Sequence, residues 1–248
     1  MSQSVWITGG GSGIGRALAR SFAGDGYRVA ISGRRMDALS ETAAGSPTTI
    51  VCHPLDVTDA AATDWVIAAI ESSLGPIDLA VLNAGTYEPL WVADFDRDTF
   101  RRTIETNLTG IANAVAPLLE RMHRRRAGTI VIVASVAGYS GLPGAAAYGA
   151  SKAALINMAE ALYPDARRYG IRIAVVNPGF VATPLTARNP FSMPFLIDVD
   201  EACRRIRRGI ESGRFEIAFP RSFVLLLKLA RRLPYRLYFK LTARILPD

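Results

Sequence analysis

Short apolar runs alternate with longer helical patterns along most of this chain. The predicted strands are residues 5–8, 28–32, 49–52, 77–82, 129–134, 171–176 and 216–219. The clearest helical patterns between them are residues 14–23, 60–74, 99–124 and 151–168. Strands that alternate with helices predict right-handed βαβ units, which build a parallel sheet covered on both faces. We therefore expect an α/β fold with a doubly wound parallel sheet.

The chain shows no internal repeat and no low-complexity linker, so we expect a single domain. We place it at residues 1–220 and assign 221–248 to a C-terminal helical extension. Two prolines interrupt predicted helices, because proline removes a backbone hydrogen bond and clashes with the preceding turn. Pro164 should kink or end the helix at 151–168, and Pro234 should split the extension into two helices.

Composition narrows the class of protein. Half of the residues are hydrophobic, which fits a globular protein with a sizeable core. Cys52 and Cys203 form neither a disulfide framework nor a metal-ligand spacing, and His53 and His123 belong to no cluster, so we predict no metal site. There is no signal-peptide pattern, and no apolar run approaches the roughly 20 residues that cross a bilayer. We expect a protein of the reducing cytoplasm.

The net charge of +7 is concentrated in the C-terminal fifth. Residues 201–248 hold 12 of the 29 Lys and Arg residues but only 4 of the 22 Asp and Glu residues. The remaining body therefore gives no electrostatic reason to expect nucleic-acid binding. Within 221–246, leucines line several faces and basic residues recur at every fourth position: Lys228, Arg232, Arg236, Lys240 and Arg244. This segment can pack on the protein body or a second subunit, or it can make peripheral contact with an anionic membrane.

A tyrosine and a lysine four residues apart are the first candidates for chemistry. On a helix, Tyr148 and Lys152 share one face and lie one turn apart. A neighbouring ammonium favours the phenolate, so we expect Lys152 to lower the pKa of Tyr148 from about 10. Ser135 follows the apolar run 129–134, where a strand gives way to a loop. Together the three residues predict a site that holds a substrate oxygen and moves a proton.

A glycine-rich loop follows the first predicted strand and precedes a helix. Glycines permit a tight turn and a close approach of phosphates, and the helix N-terminus offers free N–H groups. This position in the first βα unit favours nucleotide binding over a merely flexible turn. The loop residues predicted to bind the phosphates are Gly9, Gly11, Ser12, Gly13, Ile14 and Gly15.

The end of the second predicted strand indicates the type of nucleotide. Folds that bind NAD carry an acidic residue there for the ribose hydroxyls. This chain instead has Arg34 and Arg35, and a guanidinium suits the geometry of a phosphate. We therefore predict NADP(H) as the preferred cofactor and NAD(H) as the second candidate.

These spaced motifs together resemble one family. Residues 8–15, Asn83-Ala84-Gly85, Ser135 and Tyr148-x-x-x-Lys152 are similar to the motifs of the short-chain dehydrogenase/reductase family. The resemblance extends from about residue 5 to residue 219. It implies a Rossmann-type fold with about seven strands, NAD(P) binding, a small-molecule substrate and a homo-oligomer, either dimer or tetramer.

The resemblance also implies roles for individual residues. The catalytic set would be Asn107, Ser135, Tyr148 and Lys152. Beyond the glycine loop and the two arginines, the cofactor-binding residues would be Asp56, Val57, Asn83, Ala84, Gly85, Tyr148, Lys152, Pro178, Gly179 and Thr183. The family transfers hydride between cofactor and a carbonyl or secondary alcohol, with the tyrosine as general acid or base. A non-redox epimerase or dehydratase, or an NADP-sensing binding protein, is the alternative on the same fold.

An apolar segment at residues 185–199 lies where the family carries its substrate lid. We predict a lipophilic substrate, although these side chains can equally pack on the lid's own scaffold. The predicted substrate pocket consists of Ser135, Tyr139, Leu142, Tyr148 and Phe191.

Overall fold

Seven parallel strands form one sheet in the computed structural model, which describes residues 3–46, 49–188 and 193–245. The strands are β1 Ser4–Thr8, β2 Arg28–Gly33, β3 Ile50–Pro54, β4 Leu79–Leu82, β5 Gly128–Val133, β6 Ile171–Pro178 and β7 Glu216–Phe219. Their order is β3-β2-β1-β4-β5-β6-β7, which confirms the predicted doubly wound, Rossmann-type sheet. The order reverses between β1 and β4, and ligands of such sheets bind in the crevice at that point.

The helices cover both faces of the sheet. They are α1 Gly13–Gly24, α2 Met36–Ala43, α3 Ala60–Leu74, α4 Arg97–Ile104, α5 Gly110–Arg125, α6 Ala146–Arg168, α7 Val199–Glu211, α8 Arg221–Ala230 and α9 Tyr235–Thr242. Local capping explains several starts. The Asp59 side chain accepts from the Ala62 N–H and begins α3, and Asp198 does the same for the Glu201 N–H in α7.

The strands divide the core into two layers, because successive side chains point to opposite faces. In β1, Val5 and Ile7 pack with α1, α2 and α7, whereas Trp6 packs with α3, α5 and α6. All three side chains are buried. Each fully buried side chain of this size contributes roughly 1.5–3 kcal/mol relative to an exposed one. The sheet that carries the loops described below is therefore held from both sides.

The segment predicted as one helix at 99–124 is two α-helices joined by a π-helical turn at Glu105–Thr109. Asn107 lies in this turn and is buried. Its side chain accepts from the Thr86 N–H at 2.7 Å and donates to the Thr86 carbonyl at 2.9 Å. Single π turns of this kind are frequent at functional sites.

Pro164 lies inside α6, which continues to Arg168. The helix therefore does not end at this proline, and the alternative that Pro164 kinks the helix stays a prediction. In contrast, Pro234 directly precedes α9 and separates it from α8, as predicted. On the side of the extension that faces the sheet, Phe223 and Val224 are buried in a cluster with Val136 and Tyr139. No helix in the described part of the chain is long and apolar enough to cross a membrane.

Candidate active site

A cleft of about 590 Å³ opens at the carboxyl ends of the strands. Loops that follow β1, β2, β3, β4 and β6 line it, so the chain brings together residues far apart in sequence. This is the position at which open parallel sheets bind their ligands. The predicted cofactor residues that line the cleft are Gly9, Gly11, Ser12, Gly13, Ile14, Arg34, Arg35, Asp56, Val57, Asn83, Ala84, Gly85 and Thr183.

The glycine loop is shaped for a close approach of a ligand to its backbone. Gly9 and Gly13 have φ values of 68° and 50°, which residues other than glycine rarely adopt. A Cβ atom on Gly13 would also lie 3.1 Å from the Thr183 side chain on the other side of the cleft. The Ser12 side chain makes no capping hydrogen bond at the start of α1. The first N–H groups of α1 therefore remain available to donate to a ligand. The loop therefore fits a pyrophosphate.

Hydrogen bonds between strand ends hold the floor of the cleft. The Thr8 hydroxyl accepts from the N–H groups of Asn83 at 2.9 Å and Ala84 at 3.0 Å. The Asn83 side chain returns a bond to the Thr8 carbonyl at 3.1 Å. These contacts fix the loop after β4 to the end of β1, beside the glycines.

Two exposed guanidinium groups stand at the end of β2. Arg34 and Arg35 line the cleft, and neither side chain makes a hydrogen bond or ion pair within the described residues. In contrast, Arg16 nearby is held by the Gly11 carbonyl and by Glu41. The Arg34 and Arg35 guanidinium groups are thus positive charges without a partner in the described part of the chain, at the place where the adenosine ribose lies in folds of this type.

The second part of the site lies where β5 meets α6. Ser135 follows β5, and its side chain accepts from the Ala137 N–H at 3.1 Å and donates to the Pro178 carbonyl at 3.4 Å. Lys152 is buried on α6 and donates to the Val133 carbonyl at 2.9 Å. Its nitrogen lies 5.5 Å from the centre of the Tyr148 ring. The predicted Ser–Tyr–Lys group is therefore assembled in space.

Burial controls the proton affinities of this group. It raises the pKa of Tyr148 to about 12, which the Ser135 hydroxyl partly offsets and nearby Tyr87 increases. Burial also lowers the pKa of Lys152 to about 8. The pKa of Tyr148 is thus shifted opposite to the lowering expected from Lys152, and the separate effect of Lys152 on it stays a prediction. Lys152 donates to the Val133 carbonyl and lies over the phenol ring, and the loss of water around the Tyr148 hydroxyl is the largest cause of the shift.

Asn107 connects this group to the loop after β4. Besides its two bonds to Thr86, its amide donates to the Ser151 hydroxyl at 3.2 Å. Ser151 in turn donates to the Tyr148 carbonyl at 2.7 Å. A Cβ atom on Gly85 would lie 3.3 Å from the Asn107 side-chain oxygen and 3.6 Å from the Lys152 nitrogen. The floor of the cofactor cleft therefore reaches the catalytic candidates.

Comparison with known proteins assigns the family. A family model described as short chain dehydrogenase matches residues 3–191. The chain belongs to the short-chain dehydrogenase/reductase family. It is an oxidoreductase of this family, whose members bind NAD(P)(H) and act on small molecules.

Individual relatives of this short-chain dehydrogenase/reductase agree with the assignment. An uncharacterized oxidoreductase from Myxococcus xanthus is 38% identical over 239 residues, which cover 95% of this chain and 94% of the relative. The 3-oxoacyl-acyl-carrier-protein reductase MabA from Mycobacterium tuberculosis is 33% identical over 186 residues, which cover 75% and 72%. A crystal structure of a short-chain dehydrogenase from Streptomyces avermitilis has a TM-score of 0.84 and 24% identity, covers 99% of this chain and 98% of its own, and shows the same fold.

Some predicted residues of this short-chain dehydrogenase/reductase lie beside the cleft rather than on its lining. Gly15 packs under the glycine loop, where a Cβ atom would lie 2.8 Å from the Asn83 side chain. Pro178 meets Ser135, and the Gly179 N–H donates to the Phe219 carbonyl at 2.7 Å. These contacts place the turn after β6 next to the catalytic candidates. The roles predicted for these residues stay predictions.

The predicted substrate side is less complete. Tyr139 is buried in the cluster with Val136 and Phe223, and its hydroxyl donates to Glu216 at 2.6 Å. Its polar end is thus engaged away from the cofactor cleft. Leu142 is partly buried in the loop before α6. Phe191 lies outside the described residues.

Three residues near the site carry no signal in the sequence. Tyr87 packs edge-to-face on Tyr148, with ring centres 5.1 Å apart. Ser151 connects Asn107 to α6, and Thr86 provides the backbone that Asn107 holds. Each acts through a contact between separate elements, so neither spacing nor periodicity could have identified it.

Proposed function

We propose that this protein transfers a hydride between NADP(H) and a carbonyl or secondary alcohol, with Tyr148 as general acid in reduction and general base in oxidation. The supporting observation is the approach of Gly85, on the cofactor cleft, to the Lys152 nitrogen. The cleft that fits a nucleotide therefore lies next to the group that transfers the proton. Hydride transfer needs both at once.

The residues around the substrate oxygen have separable tasks. When bound, NADP(H) supplies or takes up the hydride. The hydroxyls of Ser135 and Tyr148 hold the substrate oxygen by hydrogen bonds, and in reduction Tyr148 gives its proton to that oxygen. A pKa of about 12 keeps this proton on Tyr148 at neutral pH. Lys152, whose pKa of about 8 lies near ambient pH, and Asn107 resupply it through ordered water.

The preference for NADP(H) over NAD(H) is supported by Arg34 and Arg35. Both guanidinium groups line the cleft without a protein partner among the described residues, and a 2′-phosphate would provide one. Asp56, the acidic residue that lines this end, instead accepts from the Thr58 N–H and hydroxyl. The fit is therefore better for a phosphate than for two ribose hydroxyls.

A lipophilic substrate is supported by the apolar surface after β6. The Phe195 ring stacks on Phe223 with centres 5.6 Å apart, and both Phe195 and Leu196 remain exposed. The name of the relative MabA describes reduction of a 3-oxoacyl group, which is a ketone on an acyl chain. We propose a cytoplasmic homo-oligomer, either dimer or tetramer, with peripheral membrane contact through 221–246. Family members are usually oligomeric.

A panel of carbonyls and alcohols, assayed with NADPH and NADH in parallel, tests the proposal. We expect NADPH oxidation in equal amount to carbonyl consumed, and a hundredfold or greater loss of turnover in Tyr148→Phe. Tyr163→Phe, on the same helix, is the matched control and should retain activity. Near-normal turnover of Tyr148→Phe would refute the catalytic role. Product formation without cofactor consumption would instead indicate an epimerase or dehydratase, and NADPH binding without turnover of any compound would indicate a binding protein.

A further inference from the structure

The outward sides of α8 and α9 expose an unusual number of large apolar side chains. Fourteen such side chains are exposed in the described part of the chain, and eight of them lie within 221–245, each between 40% and 76% exposed. They are Leu225, Leu226, Leu229, Leu233, Tyr235, Leu237, Phe239 and Leu241. Monomers in water rarely gather apolar surface in this way unless something covers it. We call these residues, with the basic residues of the same segment, the C-terminal face.

Packing on the protein body does not account for this face. In α8, Phe223 and Ala230 are buried, whereas Leu225 and Leu229 lie on the opposite side of the helix and are exposed. In α9, Tyr238 is buried and its hydroxyl donates to the Gly141 carbonyl at 2.6 Å. The two helices are thus already anchored by one side, and a second apolar side remains in contact with solvent.

The charge of the face identifies its partner. Residues 221–245 contain seven Lys and Arg residues and no Asp or Glu. Lys228 pairs with Glu216, but no other basic side chain of the segment forms an ion pair with a described residue. Clustered leucines and aromatics flanked by uncompensated cations match the interface of a bilayer, where acyl chains take the apolar groups and anionic headgroups the cations.

A second copy of the chain fits this face poorly. A twofold interface places the same surface on both subunits, so the basic side chains would oppose their own copies without an acidic residue on either side. We therefore infer that the C-terminal face of α8 and α9 docks on an anionic lipid surface. Since no described helix is long and apolar enough to span a bilayer, the contact is a peripheral one.

Docking in this manner would orient the site. Phe195 and Leu196 are exposed beside Phe223 at the start of α8, and Tyr238 connects α9 to the loop between Ser135 and Tyr148. The two helices that carry the C-terminal face thus contact the substrate side of the protein through their buried sides. One consequence rests on the proposed function: a lipophilic substrate would reach the site from the bilayer.

Sedimentation of the full chain with vesicles tests the docking independently of activity. Phosphatidylcholine vesicles with and without 30% phosphatidylglycerol are the probes. We expect binding to the anionic vesicles alone, and its loss at 0.5 M salt because exposed charges are then screened. Arg232→Gln/Arg236→Gln/Lys240→Gln should lower the partition coefficient at least tenfold. The control Arg97→Gln/Arg208→Gln/Arg214→Gln removes the same charge elsewhere and should bind as the wild type does.

Three results would overturn the inference. One is equal behaviour of the two triple variants, since general charge attraction rather than this face would then cause binding. Another is failure of the wild type to bind anionic vesicles. The third is a wild type that is an oligomer and a Leu225→Gln/Leu229→Gln variant that is a monomer by analytical ultracentrifugation, since the face would then be a subunit interface. Loss of vesicle binding with full retention of turnover on a soluble substrate would leave the proposed oxidoreductase function intact.

Discussion

The Lys152 ammonium lies over the ring of Tyr148, 5.5 Å from its centre, and donates its hydrogen bond to the Val133 carbonyl. The lysine is therefore held by the sheet and placed beside the tyrosine, one turn along α6. Burial raises the pKa of Tyr148 to about 12 and lowers that of Lys152 to about 8. Of the two groups, only the lysine titrates close to physiological pH.

A pH profile follows from this difference. The lysine is charged below pH 8 and loses its charge as the pH rises through that value, whereas Tyr148 stays protonated. We expect kcat for carbonyl reduction to fall about tenfold per pH unit above pH 8, because proton resupply needs the charged lysine. The guanidinium of Lys152→Arg stays charged, so the remaining activity of this variant should stay constant as the pH rises to 10.

The control for this profile is to show that the variant keeps its fold. Circular dichroism and NADPH binding should show that Lys152→Arg is folded and accepts the cofactor. A wild-type profile that stays flat to pH 10 would contradict the role given to Lys152. Identical falling limbs in the wild type and the arginine variant would assign the titration to another group.

Cofactor preference depends on the two arginines at the end of β2. Arg34→Ala/Arg35→Ala should weaken NADPH binding roughly 10- to 100-fold, since each charge-assisted bond contributes about 1.5–3 kcal/mol before exposure reduces it. NADH binding should change less than threefold. Fluorescence titration of both cofactors measures the ratio, and Arg97→Ala/Arg208→Ala is the control. An equal loss for both cofactors would argue against a 2′-phosphate contact.

The π turn makes Asn107 a stability determinant as well as a catalytic candidate. Asn107→Ala leaves the N–H and carbonyl of Thr86 without their partner, at a cost of about 2–4 kcal/mol in the free energy of unfolding. Asn113→Ala, on the next helix, removes a more exposed amide and should cost about 1 kcal/mol or less. Urea denaturation compares the two. An Asn107→Ala variant of wild-type stability would show that the turn holds its shape without this side chain.

Glu216 couples the C-terminal extension to the loop after β5. Burial alone would raise the pKa of Glu216, but bonds from Lys228, Tyr139 and Asn177 outweigh it and lower that pKa. The lowered pKa stabilises the fold above the pKa of the unfolded state, about 4.3, and this contribution is lost as the pH falls through the folded-state value.

The corresponding variant is Glu216→Gln. We expect it to lower the free energy of unfolding by about 1 kcal/mol at pH 7, since the network is partly exposed. The difference from the wild type should shrink as the pH falls below about 4.3. Thermal denaturation from pH 3.5 to pH 7 measures this, with the exposed Glu120→Gln as control. A difference that does not vary with pH would assign the effect to packing.

The sheet could be predicted from the sequence because a buried parallel strand is a local signal. The apolar run at 171–176 becomes β6, and the one at 129–134 becomes β5, each within two residues at its ends. The glycine loop could also be predicted from the sequence, since its function depends on consecutive residues. Short helices were harder, and α2, which is eight residues long, was not among the predicted helices.

Contacts between distant elements account for what the sequence did not predict. Tyr139 is engaged by Glu216, which is 77 residues away, and no pattern near either residue announces the bond. The spacing of Tyr148 and Lys152 correctly predicted a shared helix face. It could not show that burial of the pair would shift the pKa of Tyr148 upwards, opposite to the expected direction.

The π turn at Glu105–Thr109 also sets the rotational phase of a long helical rod. Five side chains spaced by four residues are buried along it: Thr99, Thr103, Asn107, Ile111 and Val115. In an uninterrupted α-helix each step of four overshoots a full turn by about 40°, so the row would spiral away from the core. The wider turn absorbs part of that drift and keeps the row on one side. If this turn closed into regular α-helix without losing a residue, both helices would stay helical, but one would rotate by about 100° out of alignment with its own core.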